Sequence, residues 1–244
     1  MPRLSVNINK IALIRNARGT NTPDIITVAN HLLALDSIAG LTVHPRPDGR
    51  HITYDDVRNL ASLIRTFYPT HALNVEGYPS PDFLALIRET QPQQVTLVPD
   101  PPGALTSSYG WCVDTQFTLL QPAIAYLRAA GVRNLSLFLD PVLPDKSRLL
   151  TLGPDAVELH TYAYAQGYPT DPAAALRPYY QVGSEIARWG VAIHAGHDLN
   201  QTNTPYFIQN MPLIQEISIG HALVCDALLY GLVPVVNVYA SVSA

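Results

Sequence analysis

The sequence predicts a (β/α)8 barrel, and three observations lead to this fold class. Eight short runs rich in Val, Ile and Leu recur along the chain, and segments with helical periodicity separate them. The length of 244 residues is close to the ~250 residues typical of such barrels. No G-x-G-x-x-G motif follows the first run, which disfavours the alternative of a doubly wound open sheet.

The predicted strands are apolar on both faces for most of their length, which is typical of parallel strands covered on both sides. They lie at residues 4–9, 40–44, 72–77, 94–99, 134–139, 156–161, 191–196 and 216–221. The sequence has no internal repeat and no long linker. We therefore expect residues 1–244 to form one barrel domain.

Helical segments follow the predicted strands, and the residues at their ends agree with this assignment. Thr53 followed by Asp55 and Asp56 is typical of a helix N-terminus, whereas Gly131 and Gly190 lie where a helix gives way to a strand. The predicted helices lie at residues 24–35, 55–67, 81–90, 118–131, 143–153, 172–190, 204–211 and 221–240.

Composition excludes several classes of protein. Hydrophobic residues make up 48% and charged residues 14% of the chain, which is too apolar for a disordered protein. No apolar run approaches the ~18 residues of a membrane span, and the start of the chain does not resemble an export signal, so we expect a cytoplasmic protein. A net charge of −4 without a basic run argues against nucleic acid as a partner. Cys112 and Cys225 lie far apart in the sequence, and we expect both to be buried.

Chemically active side chains are concentrated where the predicted strands end. In a (β/α)8 barrel the catalytic groups lie at the carboxyl ends of the strands and in the loops that follow. Six of the eight histidines take this position, and only His31 and His71 lie elsewhere. The predicted rim residues are Asn7, Asn9, Lys10, Arg15, Asn16, Arg18, His44, Arg46, His51, Glu76, Asp100, Thr106, Glu158, His160, Thr161, His194, His197, Gly220 and His221.

The loop at residues 42–51, TVHPRPDGRH, is the most concentrated part of this rim. Pro45 and Pro47 cannot donate to a sheet, so the second strand must end here in a stiff loop. Four side chains of the loop can carry positive charge: His44, Arg46, Arg50 and His51. The pattern predicts a site for phosphate or carboxylate, and a polar loop that only caps the strand is the alternative.

Several rim residues have a structural alternative. Asn9 and Lys10 can serve to solvate a strand end. Arg15 and Arg18 can be surface charges, and residues 15–19 are expected to form a loop over the rim. Lys10 is also placed where a Schiff-base lysine could lie, although an ion pair is the simpler role.

Two glutamates are harder to explain by structure alone. Glu158 lies between two apolar residues of a predicted strand, and an unpaired buried charge is costly. Glu76 lies at a strand end in similar surroundings, where burial would raise its pKa and make it a candidate general acid or base. His160 and His194 also alternate with apolar residues, and interior histidines are the alternative for both.

The last two strands predict a phosphate site. Gly220 and His221 lie between the eighth strand and the following helix, and residues 195–200 take the same position after the seventh. In barrels these loops commonly hold a phosphate through backbone and helix-terminal amides. Gly220 as a simple turn residue is the alternative. His194 and His197 could chelate a metal, but no H-x-H or H-E-x-x-H pair occurs, and we expect no metal.

The motifs together identify the chain as similar to the pyridoxine 5'-phosphate synthase family of vitamin B6 biosynthesis. They are NINKIALIRNARGT, GLTVHPRPDGRHIT, LNVEG, VTLVPD followed by LTSSYGW, SLFLD, VELHT, AGHDLN and ISIGHAL, in this order. The resemblance implies a cytoplasmic, octameric (β/α)8 barrel with extra helices that needs no cofactor. It also implies a condensation of 3-amino-2-oxopropyl phosphate with 1-deoxy-D-xylulose 5-phosphate, which gives pyridoxine 5'-phosphate, phosphate and water.

The resemblance further assigns a role to each matching residue. It implies that His44 and Glu76 accept protons, that His197 donates a proton, and that Glu158 stabilises the transition state. The residues implied to hold the aminoketone phosphate are Asn7, Arg18, Asp198, Gly220 and His221. Those implied to hold the deoxyxylulose phosphate are Asn9, Lys10, Arg46, His51 and Thr106.

The chain differs from the common family pattern at three places. Asn9 and Lys10 replace the acid and the imidazole of an N-I-D-H-I-like motif, Tyr162 replaces a glycine, and His194 replaces an asparagine. The alternatives to a synthase are another sugar-phosphate aldolase or isomerase, or a barrel that binds a phosphorylated metabolite without turnover. A binding protein has little use for three acid–base groups, which favours the synthase.

Overall fold

The computed structural model describes residues 2–100 and 107–242. Eight parallel strands form a closed barrel in which each strand pairs with the next and β8 pairs with β1. The strands are β1 Arg3–Asn7, β2 Gly40–Val43, β3 Ala72–Gly77, β4 Gln94–Leu97, β5 Leu135–Leu139, β6 Ala156–His160, β7 Ala192–Gly196 and β8 Ile214–Ile219. The predicted (β/α)8 barrel is confirmed.

Helices connect and surround the strands. They are α1 Asn9–Asn16, α2 Ile25–Leu33, α3 Tyr54–Phe67, α4 Pro81–Thr90, α5 Val113–Ala129, α6 Lys146–Leu152, α7 Tyr162–Gly167, α8 Pro172–Arg188, α9 Thr204–Asn210, α10 His221–Tyr230 and α11 Leu232–Val242. All eight predicted helical segments are present. The last of them is divided at Gly231, whose φ of 87° is a left-handed conformation that ends α10. None of the described helices is long and apolar enough to cross a bilayer.

Two helices were not predicted. The first strand ends at Asn7, so Asn9 and Lys10 lie in the first turn of α1 and not at a strand end. Arg15 and Asn16 are the last two residues of this helix. The loop expected at residues 15–19 therefore begins only after Asn16. The second unpredicted helix is α7, which follows β6 directly.

The strands are covered on both faces as expected, but their inner face is polar. Leu4 and Val6 of β1 are buried in the hydrophobic core, whereas Ser5 between them bonds to the Thr42 hydroxyl of β2 at 2.7 Å. The polar contacts continue around the barrel from Thr42 to Asn74 and from Asn74 to Thr96. The core that stabilises the fold therefore lies between the strands and the helices.

The two cysteines correct another expectation. Cys112 and Cys225 are both exposed, whereas the sequence predicts that both are buried. Cys112 lies at the N-cap of α5, and Cys225 lies one turn into α10.

Candidate active site

A cavity of about 780 Å³ lies at the carboxyl ends of the strands. Its opening to solvent is surrounded by side chains from most of the strands and from the loops that follow them. The predicted site residues that line it are Asn7, Asn9, Lys10, His44, Arg46, His51, Glu76, Glu158, His197, Asp198, Gly220 and His221. Residues far apart in the sequence thus meet around one space that is large enough for a small phosphorylated molecule.

Two predicted site residues are not among those that line the cavity. Arg18 is exposed in the turn after α1. Its assignment to a phosphate stays a prediction. Thr106 lies outside the described residues.

His44 and Glu76 lie close together at the ends of β2 and β3. His44 Nδ1 lies 3.9 Å from Glu76 Oε2, and both residues are largely buried. Burial, followed by the positive charge of Arg46, holds the pKa of His44 well below its usual value. Burial and then the charge of Glu158 raise the pKa of Glu76 well above its usual value. His44 is therefore neutral at pH 7, and the protonated form of Glu76 is more favoured than that of an exposed glutamate.

Helix α1 holds the loop that carries His44 and His51. The Arg15 guanidinium donates to both carboxylate oxygens of Asp56, at 2.6 and 2.8 Å, and to the His51 carbonyl at 3.2 Å. Asn16 donates to the carbonyls of Gly49 and His51. Arg15 is 9% exposed, so the alternative of a surface charge is wrong.

Asn7 at the end of β1 and Asn9 at the start of α1 continue this support. The Asn7 carboxamide oxygen accepts from the backbone N–H of Asn9 at 3.0 Å. The Asn9 carboxamide oxygen in turn accepts from the backbone N–H of His44 at 2.9 Å. Asn7 therefore positions the start of α1, and Asn9 positions the backbone of His44. Both residues also line the cavity.

Arg46 and His51 bring cationic and donor groups to the cavity wall. Arg46 forms a buried ion pair with Asp100, whose carboxylate also accepts from the Ser107 hydroxyl at 2.7 Å. His51 Nδ1 accepts from the backbone N–H of Ile52 at 3.0 Å, which leaves the ring proton on Nε2. Burial and the neighbouring cations lower the pKa of His51 to about 4, so it is neutral near pH 7.

His197 and Asp198 lie in an unusual turn after β7. Both have left-handed φ angles, 81° and 61°, which non-glycine residues rarely adopt. The Thr161 hydroxyl donates to the carbonyls of Gly196 and His197 and so holds the turn. His197 Nδ1 lies 2.6 Å from Asp198 Oδ2. The strained backbone thus brings both side chains to the cavity in contact with each other.

Glu158 enters the cavity from β6, and Gly196 makes room for it. A Cβ atom at Gly196 would lie 2.1 Å from Glu158 Oε1. Burial, followed by the charge of Glu216, raises the pKa of Glu158 to about 8. Glu158 is therefore mostly protonated at neutral pH and can donate as well as accept a hydrogen bond.

Gly220 and His221 form the N-terminus of α10 beside Asn7. A Cβ atom at Gly220 would lie 3.0 Å from Asn7 Cβ, so a larger residue would crowd this side chain. His221 is the first residue of α10, and both Gly220 and His221 line the cavity. This end of the helix is suited to an anion.

His194 does not join the cavity. It is 7% exposed inside the barrel, where it is the register partner of Glu158 on one side and of Glu216 on the other. The alternative of an interior histidine is therefore correct for His194, and it does not meet His197 as a chelating pair. Within residues 2–100 and 107–242, no three His, Cys, Asp or Glu side chains are grouped as a metal site.

The cavity also contains residues that the family resemblance did not assign to a substrate. They are Leu13, Arg50, Val98, Ser107, Ser108, Phe138, Tyr162 and Ser218. Arg50, Phe138 and Tyr162 lie close to predicted strand ends. Because the functional groups of a barrel lie at the carboxyl ends of its strands, this position alone could have identified the three as candidates. Leu13 had no such signal because α1 was not predicted.

The whole chain is similar to proteins of known activity. Residues 4–243 match the family model described as pyridoxal phosphate biosynthesis protein PdxJ. The chain is 45% identical over 241 residues to a pyridoxine 5'-phosphate synthase of Bacteroides fragilis strain YCH46, with 98% of each chain covered. It is 44% identical over 239 residues to a pyridoxine 5'-phosphate synthase of Parabacteroides distasonis, again with 98% of each covered.

Solved structures show the same fold at low sequence identity. The tryptophan synthase alpha subunit of Legionella pneumophila aligns over 98% of this chain and 89% of its own, with a TM-score of 0.62 and 13% identity. The 3-keto-L-gulonate-6-phosphate decarboxylase of Vibrio cholerae aligns over 99% and 97%, with a TM-score of 0.59 and 9% identity. These structures support the barrel alone, whereas the family match and the relatives define the family. The chain belongs to the pyridoxal phosphate biosynthesis protein PdxJ family.

Proposed function

We propose that the chain is a pyridoxine 5'-phosphate synthase, a transferase of vitamin B6 and pyridoxal phosphate biosynthesis. It condenses 3-amino-2-oxopropyl phosphate with 1-deoxy-D-xylulose 5-phosphate to pyridoxine 5'-phosphate, phosphate and water. The observation that carries this proposal is the meeting of His44, Glu76 and His197 at one cavity. Joining two carbonyl compounds into an aromatic ring requires repeated proton transfers, and several acid–base groups around one pocket suit that chemistry.

These residues are proposed to have different roles in proton transfer. His44, whose lowered pKa keeps it neutral at pH 7, is free to accept a proton from the first intermediate. The raised pKa of Glu76 makes its carboxylate a stronger base than an exposed glutamate, which supports its role as the second proton acceptor. His197 donates a proton from the other side of the rim, and Glu158 offers a hydrogen bond to the developing charge.

Anion-binding groups surround the acid–base residues. Asn9, Lys10, Arg46 and His51 are assigned to the deoxyxylulose phosphate, together with Thr106. Lys10 makes no ion pair or hydrogen bond with any described residue, so its ammonium is available to a phosphate. Asn7, Asp198, Gly220 and His221 are assigned to the aminoketone phosphate. The N-terminus of α10 supplies amide donors for it.

Incubation of the purified protein with both phosphates tests the activity. We expect the absorbance of the pyridine product and one equivalent of released phosphate per ring. The Glu76→Gln variant should lose turnover and still bind both substrates, because glutamine keeps the shape but cannot transfer the proton. The exposed His31 on α2 gives a control, since His31→Ala should leave turnover unchanged.

Each outcome has a definite meaning. Binding of both phosphates without ring formation would replace the synthase with a metabolite-binding barrel. Full activity of Glu76→Gln would remove Glu76 from the mechanism. Arg18→Ala should weaken binding of the aminoketone phosphate if the family assignment applies, and unchanged affinity would agree with the exposed position of Arg18.

Further properties of the chain are proposals that rest on the family. A homo-octamer, a cytoplasmic location and a single catalytic domain over residues 1–244 follow from the resemblance. The proposed partners are the two small phosphorylated substrates, with no nucleic acid and no membrane. Light scattering of the purified protein would measure its mass against the 26.7 kDa of one chain.

A further inference from the structure

A buried histidine lies behind His197 and does not line the cavity. His160 is the last residue of β6 and is 4% exposed. The centroids of the His160 and His197 rings are 4.8 Å apart, and the ring planes are perpendicular at 89°. His160 therefore packs against His197 from the protein side, where it cannot touch a substrate directly.

Asp140, which follows β5, holds the ring of His160. His160 Nδ1–H donates to Asp140 Oδ1 at 3.0 Å. Burial raises the pKa of Asp140, but hydrogen bonds from His160 and from the Gly110 backbone outweigh this effect and keep the pKa below its usual value. Asp140 is therefore an ionised acceptor, and its hydrogen bond fixes both the orientation and the tautomer of His160.

Two aromatic rings enclose His160. The Phe138 ring centroid lies 5.0 Å from it, and the Tyr162 ring stacks on it at 6.0 Å with 19° between the planes. His160 Nε2 is buried and has no hydrogen-bond partner in the described part of the chain. A buried polar atom without a partner destabilises a fold, so stability alone does not account for a histidine at this position.

The contact of His197 with Asp198 does not by itself fix His197 relative to the barrel. Asp198 is the next residue of the same left-handed turn, so the two side chains move together when the turn moves. His160 is the last residue of β6, and Asp140 directly follows β5. Their contact ties the His197 ring to the rigid sheet.

We propose that Asp140 and His160 are positioning residues for His197. They hold its ring so that Nδ1–H donates to Asp198, and when the ring gains a second proton, that proton lies on Nε2 and leaves from there to the substrate. This inference rests on the proposed function, in which His197 is the proton donor. A displaced general acid loses catalytic power because proton transfer needs hydrogen-bond contact with the reacting atom.

Asp140 variants separate positioning from simple stability. Asp140→Ala removes the acceptor, and we expect kcat to fall about 10-fold to 100-fold while KM for both substrates stays within about twofold. Asp140→Asn keeps an oxygen that can accept from His160 Nδ1–H, so it should recover kcat to within about threefold of the unaltered protein. The exposed Asp36 gives a matched control, because Asp36→Ala should leave kcat and KM unchanged.

A second measurement does not depend on turnover. Nitrogen-15 NMR of the histidine rings should show one fixed tautomer of His197 in the unaltered protein and in Asp140→Asn, and an averaged signal in Asp140→Ala. This pattern in a protein without synthase activity would refute the proposed function and keep the positioning role. Active protein in which Asp140→Ala changes only the melting temperature, with kcat and the His197 signal unaltered, would overturn the inference.

Discussion

His194→Asn should remove a specific part of the dependence of stability on pH. Burial, followed by the charge of Arg3, lowers the pKa of His194 from 6.5 to about 4 in the folded chain. The unfolded chain therefore binds a proton at this residue between pH 6.5 and about 4, and the folded chain does not. Stability due to neutral His194 is complete above pH 6.5 and is lost as the pH falls through this range.

The size of the effect follows from the two pKa values. Between pH 7 and pH 4.5 the histidine accounts for a loss of about 2 kcal/mol in the free energy of unfolding. Asparagine does not titrate, so the variant should lose about 2 kcal/mol less than the unaltered protein over this interval. The other buried titratable groups, including Glu158 and Glu216 beside His194, are present in both proteins. They contribute to the pH dependence of the free energy of unfolding in both.

Urea unfolding at pH 7.0 and pH 4.5 measures this difference. Each protein is compared with itself at the two pH values, so any change in stability at neutral pH cancels. His31→Asn serves as the control because His31 is exposed, and its pH dependence should equal that of the unaltered protein. Identical losses for His194→Asn and the unaltered protein would refute the claim that His194 is held neutral by burial.

Three further substitutions test the support of the site. Gly196→Ala should keep the fold, seen by circular dichroism, but lower kcat about 10-fold to 100-fold, because a Cβ atom displaces the Glu158 carboxyl; unchanged kcat would exclude a role for the position of Glu158. Arg15→Lys should lower the free energy of unfolding by about 2 kcal/mol in urea titrations, because lysine cannot bind both oxygens of Asp56. An equally stable variant would show that the paired contact is dispensable. Lys10→Ala should raise KM for the deoxyxylulose phosphate about tenfold, with a smaller difference at high salt, whereas equal KM values would place that phosphate elsewhere.

The barrel was predictable because its signal is local. Each strand is a short apolar run, each predicted helix repeats its apolar residues with helical period, and the order of the two fixes the fold class. The rim residues followed from the same pattern, since the carboxyl ends of parallel strands meet at one mouth. His44, Glu76 and His197 are more than 30 residues apart in the sequence and still meet at the cavity.

The unpredicted features depend on contacts that are distant in the sequence. Helix α1 has only eight residues and follows β1 after a single residue, so no turn signal separates the two. Its start is fixed by the Asn7 side chain, and its end by Arg15 bound to Asp56 of α3. The pairing of Arg15 with Asp56 spans 41 positions, and sequence periodicity contains no information about it.

The polar inner face of the strands was missed for a related reason. Small residues such as Ser5 and Thr42 alternate with large apolar ones, and a short run of this kind is difficult to distinguish from a strand that is apolar on both faces. Only the closed barrel shows that these hydroxyls bond to one another across neighbouring strands.

Burial of the acidic residues serves the binding of two phosphates. Glu76, Glu158 and Asp198 all line the cavity, and three carboxylates would repel substrates that each carry a doubly charged ester. Burial raises the pKa of Glu158 to about 8, so this residue is mainly neutral at pH 7, and burial also raises the pKa of Glu76 well above its usual value, which favours the neutral form there. The raised pKa of Glu158 also lowers stability as the pH rises. Between pH 4.5 and about 8 Glu158 is protonated in the folded chain and ionised in the unfolded chain, so the free energy of unfolding falls over this interval. Substrate affinity should fall over the upper part of the same interval, because Glu158 then ionises and adds a negative charge to the cavity.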